Sequence, residues 1–371
     1  VEYDDCDSNI PFSEVNFRCP LPVTNARLSS LSKPEIASIM VQKKGRIFSG
    51  MRPTGRLHLG NYLGALKNWV DLQDDYECIY CVVDVHALTT LESVQDTKAI
   101  VPNTNEMVLD WLAAGIDPNK SIIFVQSHVP EVMTLHTLLS MVTPLGWLMR
   151  VPTFKEKLRQ MKANDETVNY GLVGYPVLQT ADIILYKGDT VPVGEDQVPH
   201  VELSREIVRR FNKVFGNTFP EPKVKLTESP SIKGLDGKTK MSKTLDNHVE
   251  LALSDDETRK RIMSAVTDPQ RTHRTVPGRP SICNVYSLHK IFNERKVNEI
   301  QEGCTTAALG CVDCKIDLAA NVNKYLAPFR ERRTAFANQP ELVQTILTDG
   351  AARARKIAKS VIAEVRGKMG L

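Results

Sequence analysis

From Arg46 onward the chain alternates short apolar runs with amphipathic stretches. RIFSG reads as a strand, NYLGALKNWVDL as a helix, CIYCVVDVHAL as a second strand, residues 98–114 as a helix, and SIIFVQS as a third strand. Strands apolar on both faces and separated by helices imply a parallel sheet covered on both sides, with ligands at the carboxyl ends of its strands. Gly174–Tyr186 and Gln197–Phe211 read as helices around a short VPV strand, and beyond about residue 245 only long helical patterns remain. The expected fold is α/β: a Rossmann-like parallel sheet domain over 40–244, then an all-helical domain over 245–371. Residues 1–39 show no steady periodicity and read as a poorly ordered extension or a mis-assigned start, with Met40 as the alternative beginning.

Composition narrows the class. In 371 residues, 42% hydrophobic and 25% charged content suits a globular protein of roughly two domains. No stretch approaches the roughly 18 apolar residues of a membrane span, and the N-terminus lacks the basic-then-apolar order of a signal peptide. The expectation is a cytoplasmic protein with reduced thiols and no membrane partner. The net charge of +3 is uneven: six acids face three bases in 1–39, and eleven Lys or Arg face five Asp or Glu in 315–371. The second excess suits a polyanion, or simply a solvated helical surface.

Two segments carry candidate chemistry. FSGMRPTGRLHLGNYLGAL, residues 48–66, leaves the first strand and opens the first helix. Its glycines permit tight turns and close backbone approach, and the helix start offers N–H groups to an anion beside His58 and Asn61. LDGKTKMSKTLDN, residues 235–247, supplies Lys240, Ser242, Lys243 and Thr244 to a triphosphate; a charged linker is the bland alternative. No Ser-His-Asp set or paired carboxylates suggest a protein nucleophile.

The eight cysteines divide by context. Cys78 and Cys81 lie three apart in a strand pattern, point to opposite faces and read as core thiols. Cys283-x20-Cys304-x6-Cys311-x2-Cys314 reads as four soft ligands for tetrahedral zinc or an iron–sulfur cluster, and the spacing alone leaves both open.

The H-x-G-N and K-M-S-K pair, in this order on this kind of fold, resembles the two signatures of class I aminoacyl-tRNA synthetases. YPVLQTADIILYKGDTVPVGEDQVPHVELSREI, residues 175–207, is similar to the tryptophanyl-tRNA synthetase family, and the likeness runs from about residue 45 to 371. The resemblance implies activation of L-tryptophan by ATP and Mg²⁺, transfer to tRNA(Trp), an anticodon-binding role for the helical domain, and a homodimer. It implies that Asp182 accepts the indole N–H and that Tyr175, Gln179, Gln197, Phe48 and His86 line the tryptophan pocket. Around ATP it places Arg52, Pro53, Thr54, Gly60, Asn61, Gly194, Glu195, Asp196, Ile232, Lys240, Met241, Ser242, Lys243 and Thr244. His58, Asn61, Lys157, Lys240 and Lys243 are the implied catalytic set. Arg52 stands where glutamine is common, Thr244 replaces a serine, and Met149 stands where glutamate is usual. A subset of the bacterial members binds [4Fe–4S] through a cysteine spacing like this one, so the resemblance selects the cluster over zinc. Arg330, Arg332, Arg333, Arg353, Arg355, Lys356, Lys359, Arg366 and Lys368 then form an expected tRNA surface. The competing readings are a tyrosyl-tRNA synthetase, a non-catalytic tRNA- or tryptophan-binding paralogue, and a small-molecule nucleotidyltransferase.

Overall fold

The computed structural model describes residues 43–90, 94–152, 154–155, 168–227 and 232–371. The expected extension over 1–39, Met40 and Lys157 lie outside them. The described residues form two units: a sheet unit of 43–57, 61–227 and 333–371, and a second unit of 58–60 and 232–332.

The strands are β1 (Arg46–Met51), β2 (Glu77–Val82), β3 (Ser121–Val125), β4 (Thr190–Val193) and β5 (Lys223–Leu226), all parallel in the order β3-β2-β1-β4-β5. In chain order the principal helices are α1 (59–72), α2 (Ile100–Ala114), α3 (Glu131–Ser140), α4 (Tyr170–Leu185), α5 (Val198–Phe215), α6 (Asp255–Met263), α7 (Asn284–Phe292), α8 (Val297–Thr305), α9 (Cys311–Ala337) and α10 (Pro340–Met369). The α/β, Rossmann-like reading holds. No helix among the described residues is long and apolar enough to cross a membrane.

In the sheet unit, every residue of β2 after Glu77 is buried, as a central strand covered on both faces demands. Cys78 and Cys81 are accordingly buried free thiols of the core. The expected strand CIYCVVDVHAL ends early, because Asp84–Leu88 is helical. Asp84 causes the break: its Oδ1 accepts N–H bonds from Val85 and Ser127, both 3.0 Å, turning the chain where a strand would continue. Strands β1 to β3 build one half of the sheet and β4 and β5 the other, so the strand order reverses beside β1. A crevice opens at such a switch point, at the carboxyl ends of the strands.

The helical run expected over 245–371 is divided between the units. Residues 245–332 belong to the second unit, where Ser254 and Glu257 form a reciprocal capping box at the start of α6. Helix α10 belongs to the sheet unit, burying Ala354, Ala358, Val361 and Val365 in its core. Gly350 lets α10 lie directly on β3: a Cβ there would fall 1.8 Å from the Ile123 carbonyl oxygen.

Gly350→Ala is therefore expected to destabilise the protein by about 1–3 kcal/mol or more, since the obstruction is backbone. Gly367→Ala, on the same helix with nothing within 4 Å of the added carbon, is expected to be neutral or slightly stabilising. Denaturant melts of both variants check the contrast; equal effects would contradict it.

Candidate functional site

The switch-point crevice of the sheet unit is a cavity of about 450 Å³. The carboxyl end of β1 gives it Phe48 to Arg52, β4 gives Val191 to Val193, and α4 gives Tyr175, Gln179 and Asp182. His86, Gly194 and Gln197 complete the expected residues on its wall. All six positions named for an amino-acid pocket thus line one cavity, together with Arg52 and Gly194.

At its base the Asp182 carboxylate is 1% exposed. Gln126 Nε2 donates to both of its oxygens at 2.8 Å, and His86 Nε2 lies 3.0 Å from Oδ2. Gln126 is itself fixed, because its Oε1 accepts the backbone N–H groups of Val85 and His86 at 3.1 and 3.3 Å. Gln126 and His86 therefore hold the carboxylate and leave acceptor capacity for a donor inside the cavity. Sequence reasoning missed Gln126; its only signal is its place just past the end of β3, where parallel sheets put ligand-facing groups.

Arg52 Nη2 donates to Thr90 Oγ1 at 2.5 Å and to the Ala87 carbonyl oxygen at 3.4 Å. Burial lowers its guanidinium from the ordinary value without discharging it. Pro53 is buried and Thr54 exposed in the turn that follows β1. Gly194 precedes the short helical turn Glu195–Gln197, in which Glu195 and Asp196 are exposed and Gln197 Nε2 donates to Asp196 at 2.7 Å.

The second unit gathers the other expected positions. His58 bridges Glu250, and the Leu59 N–H donates to the Val249 carbonyl oxygen at 2.9 Å. Opposite the hairpin turn at Gly237, Lys233 pairs with Lys240, and the Met241 N–H donates to Ile232 at 2.9 Å. Ile232, a transferred adenine-side position, is thus paired with the K-M-S-K segment. Two residues that sequence reasoning passed over organise the loop. Asp236 accepts from Lys238 N, Thr239 N, Thr239 Oγ1 and Asn247 Nδ2, which holds its carboxyl far below the usual range. Asn247 Oδ1 accepts the Ser242 N–H at 2.7 Å. Lys240 and Thr244 stay exposed, while Lys243 is half-buried. Gly60 fits against the His58 ring, 3.0 Å from where its Cβ would be; Asn61, which ends the helical turn Leu59–Asn61, belongs to the sheet unit. Burial, then His248, Lys243 and Lys240, lower the His58 imidazole to about 4. His58 is therefore a neutral donor or acceptor at pH 7.

The four clustered cysteines also fall in this unit: Cys283 just before α7, Cys304 near the end of α8, and Cys311 and Cys314 in the first turn of α9. Burial first, then Cys283, Cys304 and Cys311, push the Cys314 thiol up to about 12, so the four share one electrostatic neighbourhood. His289 Nε2 lies 3.3 Å from Cys314 Sγ, and Arg271 Nη1 lies 3.7 Å from Cys304 Sγ. Gly278 permits this packing, since a Cβ there would sit 2.6 Å from Cys304 Sγ. Among the described residues no group of three or more His, Cys, Asp or Glu is arranged to hold a metal ion.

Much of the expected polyanion surface is committed internally. In the second unit Arg330 pairs with Asp255 and donates to Thr258. In the sheet unit Arg333 binds Asp110 and Glu106, Arg353 binds the Pro118 carbonyl, Arg355 binds Glu131, and Lys368 binds Asn217 and Glu364.

A family model described as tRNA synthetases class I (W and Y) matches residues 40–327. A tryptophan–tRNA ligase of Aquifex aeolicus is 40% identical over 396 residues, covering 88% of this chain and all of the relative. That of Thermotoga maritima is 45% identical over 329 residues, covering 88% of this chain and 99% of the relative. The crystal structure of a Campylobacter jejuni tryptophanyl-tRNA synthetase complexed with ADP and tryptophan is 35% identical, with a TM-score of 0.79 over 88% of this chain and all of that one.

The His58 surroundings predict a titration. Side-chain NMR is expected to show His58 neutral down to about pH 5 with a midpoint near 4. An unfolded imidazole titrates near the ordinary value of about 6.5, so between the two the unfolded state binds more protons. His58 therefore lowers stability as pH falls through that window. A midpoint near 6.5 would refute the neutral assignment.

Proposed function

The chain belongs to the class I tRNA synthetases of the tryptophan and tyrosine group, and from that premise we infer that it is a tryptophan–tRNA ligase. It activates L-tryptophan with Mg-ATP to tryptophanyl-adenylate and pyrophosphate, then transfers tryptophan to tRNA(Trp). The observation that carries the choice of amino acid is the buried Asp182 carboxylate at the base of the cavity, held by Gln126 and His86. Indole nitrogen only donates, so an acceptor with spare capacity suits it. A phenylalanine-like competitor would leave that buried acceptor unpaired, which is the strongest kind of rejection a pocket offers.

In this reading Phe48 and His86 lie near the ring, Tyr175, Gln179 and Gln197 hold the ammonium or carboxylate, and Arg52 binds a carboxylate or phosphate. The tryptophan carboxylate attacks the α-phosphorus and pyrophosphate departs; no protein nucleophile takes part. Gly194, Glu195 and Asp196 serve the ribose, and Pro53, Thr54, Gly60, Ile232 and Met241 the adenosine. His58, Asn61, Lys157, Lys240, Lys243 and the Ser242 and Thr244 hydroxyls act on the phosphates. Their contribution is positioning and electrostatic stabilisation as charge moves to the leaving group. Neutral His58 donates a hydrogen bond without adding to the repulsion among the lysines.

The proposal extends to a cytoplasmic homodimer and to a [4Fe–4S] cluster held by Cys283, Cys304, Cys311 and Cys314. Support for the cluster comes from four thiols in one electrostatic neighbourhood, with Arg271 and His289 beside two of the sulfurs. A cluster there braces α7, α8 and α9, and no reaction step passes through it.

Tryptophan-dependent ATP–pyrophosphate exchange is the expected activity. Asp182→Ala is expected to lower kcat/KM for tryptophan by about 10- to 100-fold, the range of a lost hydrogen bond to a charged group. Exchange with tyrosine alone would overturn the reading, and no exchange with either would favour a non-catalytic paralogue. Anaerobic purification is expected to yield iron and sulfide in equal amounts. Stoichiometric zinc without sulfide would replace the cluster by a zinc site.

A further inference from the structure

We propose that Arg333, at the C-terminal end of α9, is a positioning residue for the ATP-side loop that leaves β1, residues 52–57, acting through Asp110 on the Leu57 main chain and through Glu106 on the Arg56 side chain. The inference rests on the tryptophan–tRNA ligase reading, since it concerns how ATP is held.

Asp110 lies on α2 and is 0% exposed, an unusual place for a carboxylate unless several groups compensate it. Two do. Its Oδ2 accepts the backbone N–H of Leu57 at 2.5 Å, and its Oδ1 accepts Arg333 Nε at 2.7 Å. Burial raises this carboxyl to about 6, against the pull of those two donors. One turn earlier on the same face of α2, Glu106 accepts Arg333 Nη2 at 2.7 Å and Arg56 Nε at 2.6 Å. The guanidinium of Arg333 therefore spans two carboxylates, and those carboxylates hold two consecutive residues, Arg56 by its side chain and Leu57 by its main chain.

Arg56 and Leu57 close the loop that leaves β1 and carries Arg52, Pro53 and Thr54, and a misplacement of about 1 Å in a reacting site costs on the order of 100-fold in rate. Arg333 is only 12% exposed at its side chain, so the fork serves this network and not a polyanion. Lysine offers a point charge and cannot reproduce a fork across two carboxylates.

The test compares wild type with Arg333→Lys, Arg333→Met and Asp110→Asn, each checked for folding by near-ultraviolet circular dichroism. Exchange kinetics are measured against ATP and against tryptophan, and Mg-ATP affinity is measured independently by titration calorimetry. The expected result is a KM for ATP and a calorimetric Kd raised on the order of tenfold in Arg333→Met and Asp110→Asn. Arg333→Lys should be intermediate, with the KM for tryptophan within about twofold of wild type. A merely structural staple would lower thermal stability without this split. Unchanged ATP affinity in the folded variants, or equal shifts in both KM values, overturns the proposal. Lack of exchange in the wild type would instead strike the ligase reading, while the calorimetric comparison would still decide the role of Arg333.

Discussion

A carboxylate buried at the base of the switch-point cavity is the constraint around which the sheet unit is arranged. An ionised group removed from water costs several kcal/mol unless fixed donors replace its hydration. For Asp182 those donors come from elsewhere in the fold: Gln126 from just past β3, and His86 from the short helix after β2. Gln126 in turn spends its carbonyl oxygen on the N–H groups of Val85 and His86. The parallel register of β2 with β3 therefore has a chemical consequence, since slipping one strand past the other would separate the two donors. That Gln126 is a neutral donor matters as much as its presence. A lysine or arginine at Gln126 would pair with the carboxylate and take up acceptor capacity that now faces the cavity.

The second unit solves the opposite problem. Its lysines sit on a hairpin whose fixed part is built from uncharged or acceptor groups. Asp236 and Asn247 close the turn through seven side-chain hydrogen bonds to each other and to Lys238, Thr239, Lys240 and Ser242. Gly234 makes room, because a Cβ there would collide with the Asn247 side chain at 2.1 Å. The loop is organised by its short polar residues, while Lys240 remains exposed at its surface.

How far the sequence discloses this varies with the kind of force involved. Periodicity revealed β1, α2, β3 and the two helices flanking β4, because burial on both faces leaves an unbroken apolar run. It overextended the second strand, where a single Asp84 side chain redirected the backbone, a local polar event that apolar patterns do not register. It passed over β5, whose four residues, KVKL, lie at the sheet edge and alternate charge with apolar side chains. Resemblance pointed to the cavity positions, but not to Gln126, which touches another side chain and carries no motif of its own. Nor could periodicity tell that α10 would join the sheet unit, because that depends on one glycine meeting one strand carbonyl across more than two hundred residues.

The basic C-terminal segment shows why charge counting is the weakest of these signals. A guanidinium seen in sequence has two destinations, a polyanion or an internal carboxylate, and net charge weighs them equally. The internal partners here are distant in sequence: Arg333 finds Asp110 and Glu106, and Arg355 finds Glu131. In each case the fork makes two or more hydrogen bonds at 2.7 to 3.1 Å, the geometry in which arginine gains most over lysine. An arginine so committed would surrender those contacts to reach phosphate, and would leave a buried acid behind at Asp110. A tRNA surface on this chain must therefore draw on cations without such partners, and residue type alone does not identify them, since Lys368 is committed to Asn217 and Glu364 just as Arg355 is to Glu131.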